Sequence, residues 1–354
     1  MKTKNLICIA IILLCYSRSF SQFVFIPDSN FRNIIKQNIA AAAIVGDSLD
    51  TLNVNLISKK IFSIGRTNFD YNLQGIQYFD SLEWLHLHYS DFSGLSVFPP
   101  LLKNLTMQAS ATVDFIDINN TSLISININN ADLLDFSSIP NSVQYINTSV
   151  SDFSVSAFPS ALISFVMQYN HSTSVLPSFP QGLKKLSIHD SWFMGITDFP
   201  DSLNKIDLVG NINLSVLPNL PVNLDTLITN SCALTQVNLP FSLIYLDISG
   251  NNITSIGTFP SSLVYAGLTN NDLDSLPSLP PSLEYLSAEN NNLHSIPPVP
   301  ATLRNLYISY NPLDVFPVLN QTLLRLSCRK NIASIIPVTG SAVLKTEASQ
   351  LRSF

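Results

Sequence analysis

The sequence predicts an α/β solenoid with a parallel sheet along its concave face, and three observations predict it. First, from Leu243 the chain reads LIYLDISGNNITSIGTFPSS, LVYAGLTNNDLDSLPSLPPS, LEYLSAENNNLHSIPPVPAT and LRNLYISYNPLDVFPVLNQT, repeating a leucine, two further apolar positions and an asparagine every 20 residues. Self-similarity at that period marks a unit of one short strand plus a return segment, which buries its apolar face only against its neighbours. Second, the first strand leucine, or its substitute, recurs from Leu82 to Val343 in thirteen steps of 19 to 21 residues. Third, proline stands three residues before that leucine at Pro159, Pro180, Pro200, Pro221, Pro240, Pro260, Pro280 and Pro300. A fixed φ and no amide donor suit an extended, polyproline-like or short 3-10 return on the convex side and exclude a long helix there.

The leader, MKTKNLICIAIILLCYSRSFSQ, has two lysines, an apolar run from Leu6 to Cys15 and then small polar residues, the layout of a secretory signal peptide cleaved near Ser21. Leu14 stands where a lipoprotein signal places a small residue before the acylated cysteine, so lipoprotein anchoring at Cys15 is the lesser reading. The expected location is secreted or cell surface, with no membrane span.

Residues 22–81 are expected to form an N-terminal cap and degenerate first repeats. Pro27 and Asp28 sit where a first-turn proline and an N-cap acceptor are used, Phe31, Ile34, Ile35 and Asn38 continue at helical spacing, and a helix there covers the open end of the first strand's core. Leu49, Leu52 and Val54, then Ile61 and Ile64, hold strand-like phases. The array proper is assigned to 82–342, about thirteen repeats, leaving 343–354 as a partial repeat or a truncated C-terminus. Either these residues close the array or the chain continues into a further domain.

The asparagine phase holds Asn170, Asn211, Asn251, Asn271, Asn291, Asn311 and Asn331, with Cys232 as a substitute, and Ser90, Ser110, Ala131 and Ser151 earlier. A buried amide there can bond backbone groups of adjacent turns and form a ladder. Cys232 and Cys328 lie five repeats apart, about 24 Å at ~4.8 Å per strand, whereas a disulfide needs alpha carbons within roughly 7 Å. Both are expected as free, buried thiols.

Of 354 residues, 46% are hydrophobic and 12% charged, and the formal charge is −6. Removing Lys2, Lys4 and Arg18 with the leader leaves 15 basic against 24 acidic residues, or −9, which argues against nucleic acid as a partner. No nucleophile elbow, phosphate loop, zinc motif or paired-carboxylate constellation appears, so no enzyme activity and no cofactor are expected.

Two further segments carry a resemblance. IPDSNF and LQGIQYFDSLEWL resemble secreted bacterial leucine-rich-repeat proteins, especially those of Bacteroidetes and internalin-like surface proteins. The form xLPxLPxSLxxLxxxxNxL is similar to the 20-residue repeats of bacterial type III effectors, although the leader departs from that family. The resemblance implies a leucine-rich-repeat horseshoe. GDSLDTLNVN offers Asp47 and Asp50 without the alternating oxygen ligands of a calcium loop, so no calcium is carried over. Asp47-Ser48-Leu49 and Asp201-Ser202-Leu203 look like the Bacteroidetes O-glycosylation motif, though the repeat itself dictates the leucine.

Side chains alternate across a strand, so the second residue after each strand leucine faces the concave side and becomes a stripe. Tyr245, Tyr265 and Tyr285 are adjacent rungs of it, beside Arg304, Tyr307, Arg325 and Arg329. Tyrosine with arginine is the composition of binding hot spots. The expected function is concave-face recognition of a protein or glycan ligand by a monomer. The bland reading of the tyrosines is that they merely cover the sheet. Other functional readings are a structural or adhesive scaffold, or the targeting arm of a longer protein. A secondary concave patch joins Trp84, His86 and His88. Thr106 and Gln108 at the next strand's matching phases supply no third ligand, so no metal is expected. His189 beside Asp190 is read as equally weak.

Overall fold

The computed structural model describes residues 22–331 except 66–69, 90–91, 94–96, 109–121, 130–133, 137–138, 150–152 and 172–174. The leader, the asparagine-phase substitutes Ser90, Ser110, Ala131 and Ser151, and the closing segment with Val343 lie outside the described residues. The chain divides into two compact units, residues 1–122 and 123–354.

In the first unit a helix, α1 (Ser29–Asn38), starts where the side chain of Asp28 accepts the Phe31 amide at 2.8 Å. Pro27 therefore precedes the N-cap rather than occupying the first turn. Phe31 and Ile35 are fully buried, and the Phe31 ring lies 6.5 Å from Phe62, which lies 5.1 Å from Phe79. Thus α1 packs on the apolar core under the strand Ile61–Gly65, as a cap must.

That strand pairs in parallel with Trp84–His88, which pairs with Asn104–Gln108, so parallel pairing begins one turn before Leu82. Ile61 and Ile64 both lie in the Ile61–Gly65 strand, as expected, but strict alternation buries Phe62 and Ile64 and leaves Ile61 at 55% exposure. Ser48–Asp50 is not a solenoid rung. It runs antiparallel between Phe23–Phe25 and Ile44–Val45. Leu49 is buried, but Leu52 and Val54 are exposed. The strand ends at Asp50, and Asn53 caps a short helical turn, Val54–Ile57, whose buried residue is Leu56.

The second unit carries eleven parallel strands in chain order, five residues long in Ser125–Asn129, Tyr145–Ser149, Ser164–Gln168 and Lys185–His189 and three residues long from Lys205–Asp207 to Arg325–Ser327. Each opens two residues after its strand leucine. Between strands, the carbonyl of the phase proline accepts the amide of the strand leucine, as Pro260 does from Leu263 at 3.1 Å and Pro280 from Leu283 at 3.1 Å. Proline thus contributes its acceptor to a tight turn while lacking the donor a strand would need. Pro140 serves Val143 in the same way at 3.0 Å. The return segments contain no helix among the described residues. The earlier ones add parallel pairing of their own, between Leu134–Phe136 and Phe153–Val155 and at a bridge from Leu176 to Ile196, where a polyproline-like or short 3-10 return was expected.

Two backbone devices recur with the repeat. The residue before each ladder position is left-handed, including Asp190, Gly210, Ser231, Gly250, Asn270 and Asn290 at φ from 47° to 75°. In several repeats the residue before the strand leucine carries a hydroxyl that donates to the strand-leucine carbonyl one turn back, as Ser202 does to Leu183 at 2.6 Å, Ser262 to Leu243 at 2.8 Å, Ser282 to Leu263 at 2.7 Å and Thr302 to Leu283 at 2.9 Å. Ser202 of the Asp-Ser-Leu triplet is therefore engaged inside the repeat.

Candidate functional site

The asparagine ladder holds the strands that carry the site. In each of four consecutive rungs the side chain is buried and bonds on three sides. The Nδ2 of Asn271 donates to Ile248 O at 2.9 Å and Leu268 O at 3.1 Å, and its Oδ1 accepts the Ile253 amide at 3.1 Å. Asn251, Asn291 and Asn311 repeat the scheme. Asn211 donates to Ile188 O and Leu208 O and accepts the Ser191 amide at 3.0 Å. Ser191, which the spacing passes over, is a rung: it is fully buried, and its hydroxyl accepts the Asn170 amide at 3.2 Å. Its position eight after Leu183 was the available signal. Asn331, in the last described rung, accepts the Asn311 amide at 3.1 Å, while its buried Nδ2 has no hydrogen-bond partner among the described residues.

Cys232 takes the ladder position with a thiol that donates to Leu208 O at 3.0 Å. Thr229 Oγ1 and Asn230 Oδ1 nearby are buried without hydrogen bonds among the described residues. Both cysteines are free, but Cys328 is half-buried rather than buried, since it follows the last described strand. Burial pushes the Cys232 thiol up to about 11 and raises Cys328 as well. A thiolate is the reactive species. Iodoacetamide at pH 8 should therefore modify Cys328 well before Cys232, as read by peptide mass mapping. Equal rates would contradict the placement of Cys232 in the ladder.

The ladder sets the register of the concave stripe. Tyr245 pairs with Tyr265, Tyr265 with Tyr285, Tyr285 with Asn305 and Asn305 with Arg325. The three phenol rings are stacked, 4.2 Å apart at 7° and 4.4 Å apart at 8°, and Tyr307 leans on Tyr285 at 5.4 Å and 38°. Both faces of Tyr265 are thus covered by its neighbours, which leaves ring edges and hydroxyls, not ring faces, for contact. Burial pushes the Tyr265 phenol well above the ordinary tyrosine range, reinforced by its hydrogen bond to Tyr245 and by the charges of Tyr245, Tyr285 and Asp247. Tyr245 and Tyr285 are raised by burial too. All three remain hydrogen-bond donors at physiological pH.

Beside the ridge, Tyr307 shares a row with Asp247, Gly267, Ser287 and Ser327. Ser327 donates to Glu289 Oε1 at 2.8 Å, its hydroxyl meets that of Ser309 at 2.7 Å, and Ser309 Oγ accepts the Arg329 amide at 2.9 Å. Arg304, Arg325 and Arg329 are exposed. Lys330 lies 5.2 Å above the Tyr310 ring.

In the first unit the side chains of Trp84, His86 and His88 form a stacked row, at 6.2 Å between the first two and 5.9 Å between the histidines. His88 Nδ1 lies 3.2 Å from Gln108 Oε1. Burial, with the charge of His88, lowers the His86 pKa and keeps that ring neutral at pH 7. Among the described residues no group of three or more His, Cys, Asp or Glu side chains could hold a metal. His189 pairs with Asp207 on the next strand, Nε2 to Oδ1 at 2.8 Å, and not with Asp190. Ser187 reaches the same Nε2 at 3.2 Å. One imidazole nitrogen serving both the hydroxyl and the carboxylate cannot relay a proton between them, so this is not a nucleophile–base pair.

No protein-family model matches the chain, and no curated protein matches it. Among solved structures it is similar to YopM from Yersinia enterocolitica WA-314, with a TM-score of 0.55 and 26% identity over 70% of this chain and 64% of that one. It is also similar to CroV588, a circular leucine-rich-repeat protein (TM-score 0.50, 20% identity, 80% and 51% coverage), and to the internalin inlF of Listeria monocytogenes (0.47, 17%, 87% and 83%). The chain therefore spans less than two thirds of the YopM structure. No described helix is long and apolar enough to cross a membrane. Parallel strands at 20-residue spacing, an asparagine ladder and the likeness to YopM together make this chain a leucine-rich-repeat solenoid.

Proposed function

We propose that this chain is a secreted or surface-exposed bacterial binding module of the Bacteroidetes type that takes up a protein ligand on the concave face of its C-terminal repeats. The stacked ridge of Tyr245, Tyr265 and Tyr285 carries this reading. A preformed ridge presents large amphipathic side chains whose ordering cost was met on folding, which favours affinity. Stacking itself is worth about 0.5–1.5 kcal/mol per ring pair, so the ridge also steadies the sheet. The leader and the IPDSNF and LQGIQYFDSLEWL segments support the location.

Between the two ligand classes the ridge favours protein over glycan. A sugar ring packs on an open aromatic face, and both faces of Tyr265 are closed by neighbours 4.2 and 4.4 Å away. Outward hydroxyls and ring edges suit backbone carbonyls and side chains instead. The module acts as a monomer without cofactor or catalysis.

Immobilised full chain should retain one saturable protein partner. Replacing Tyr265→Ala together with Tyr285→Ala should weaken that partner about thirtyfold, the effect of losing a hot spot of about 2 kcal/mol. The inward Leu246, Ala266 and Leu286 are untouched, so the circular dichroism of the folded chain should persist. Unchanged affinity, or many weak partners without saturation, would contradict the reading and favour an adhesive scaffold.

A further inference from the structure

Three carboxylates on the concave side of the second unit, Asp207, Asp247 and Glu289, are engaged within the fold. Asp207 binds His189 at 2.8 Å and Lys205 at 3.6 Å. Asp247 accepts from Asn230 Nδ2 at 3.0 Å and Ser249 Oγ at 2.7 Å, and Glu289 from Ser327 Oγ at 2.8 Å. Arg304 and Arg325 behave in the opposite way. They are exposed, and their guanidinium groups make no ion pair or hydrogen bond among the described residues. Arg325 continues the register of Tyr245, Tyr265, Tyr285 and Asn305, so one row offers phenol, amide and guanidinium donors in succession.

Charge along the sequence divides in the same place. Residues 123–303 contain 13 acidic and 3 basic residues, whereas residues 304–331 contain four basic residues and one acid, Asp314. Asp314 is held by His294 at 3.0 Å in the return segment. An acidic array thus ends in a donor-rich cationic face.

We propose that this face binds an acidic polypeptide segment, with ligand carboxylates on Arg304 and Arg325 and ligand carbonyls on the phenols of Tyr285 and Tyr265. The proposal rests on the concave-face reading above and names the chemistry of its ligand. Guanidinium groups pair with carboxylates through two parallel hydrogen bonds, and such rim charges set partner choice and association rate. A sulfated polysaccharide is the poorer fit. Its charge is dense and continuous, so the length beyond the basic patch would lie against the acidic repeats before Arg304 and be repelled, and the closed ring faces give it no stacking surface. Glu284, whose carbonyl accepts the Arg304 amide at 2.9 Å, is exposed and has no side-chain partner among the described residues. Its charge opposes an acidic ligand.

The test is fluorescence anisotropy of the full chain with labelled octaglutamate, octalysine and a neutral Gly-Ser peptide, together with a heparin fragment as competitor. Octaglutamate should bind saturably and more weakly as salt rises. Arg304→Gln with Arg325→Gln should weaken it at least about tenfold, the loss of ~1.4 kcal/mol. Glu284→Gln should strengthen it. Binding of octaglutamate that is indifferent to the arginines, or preference for octalysine or the heparin fragment, overturns the proposal. If the neutral or basic peptide binds and Tyr265→Ala with Tyr285→Ala abolishes it, the acidic ligand is wrong while the concave face stands. If no peptide binds, both fail.

Discussion

Asn291→Ala should destabilise the C-terminal repeats by about 2–4 kcal/mol, measured by urea denaturation followed by circular dichroism. The amide it removes is 6% exposed, accepts the Leu273 amide at 3.1 Å and donates to Leu268 O at 3.0 Å and Ala288 O at 3.2 Å. The consequences are unequal. Leu268 O keeps Asn271 Nδ2 at 3.1 Å, and Ala288 O keeps Asn311 Nδ2 at 2.9 Å, because each ladder carbonyl serves two rungs. The Leu273 amide has no second acceptor and is left buried and unpaired, which costs about 1–3 kcal/mol by itself. Lost packing accounts for the rest. A change within ±0.5 kcal/mol would mean that the ladder is decoration on a fold held by its leucines.

Gly210→Val should cost a similar amount, about 2–4 kcal/mol in the same denaturation experiment, by a different route. Gly210 has φ +75°, where an L side chain costs roughly 1–2 kcal/mol and a β-branched one more. A Cβ there would also stand 2.1 Å from Asp190 Oδ1 and 2.9 Å from Asp190 Cγ, so the carboxylate one turn back must move. Asp190 is itself left-handed, at φ 47°, which limits how the turn can yield. A neutral substitution would show that the turn before the ladder position tolerates rearrangement.

The 20-residue spacing made the array and the phase of its strands legible, because a repeat multiplies one weak pattern until its register is unambiguous. Asp28 as N-cap was legible because a side-chain acceptor before an apolar helical face has few other uses. The start of parallel pairing was not. Ile61–Gly65 lacks the leucine and asparagine of the repeat and buries Phe62 and Ile64, and the ring partners of Phe62, which are Phe31 and Phe79, come from elsewhere in the chain. Leu52 and Val54 misled because an apolar residue in a turn or at the start of a short helix carries the same letter as one in a strand. Ser191 stands at the ladder offset from Leu183, but its letter does not show that a serine hydroxyl can fill the rung by accepting the Asn170 amide.

The candidate site was legible as a stripe but not as a stack. Spacing places Tyr245, Tyr265 and Tyr285 on adjacent rungs, yet only the rotamers decide whether rings lie flat on the sheet or face to face. That difference changes the chemistry from open aromatic platforms to a ridge of donors. His189 shows the same limit: its partner Asp207 lies 18 residues on and is brought beside it by the parallel register.

The most direct test of concave recognition is site-specific photo-crosslinking of the full chain with polypeptides selected on it from a random library. A benzophenone amino acid at Tyr265 should capture the selected peptides, and one at Phe241, which is 85% exposed in the turn before the strand leucine, should not. Capture at Phe241 with none at Tyr265 would contradict the account.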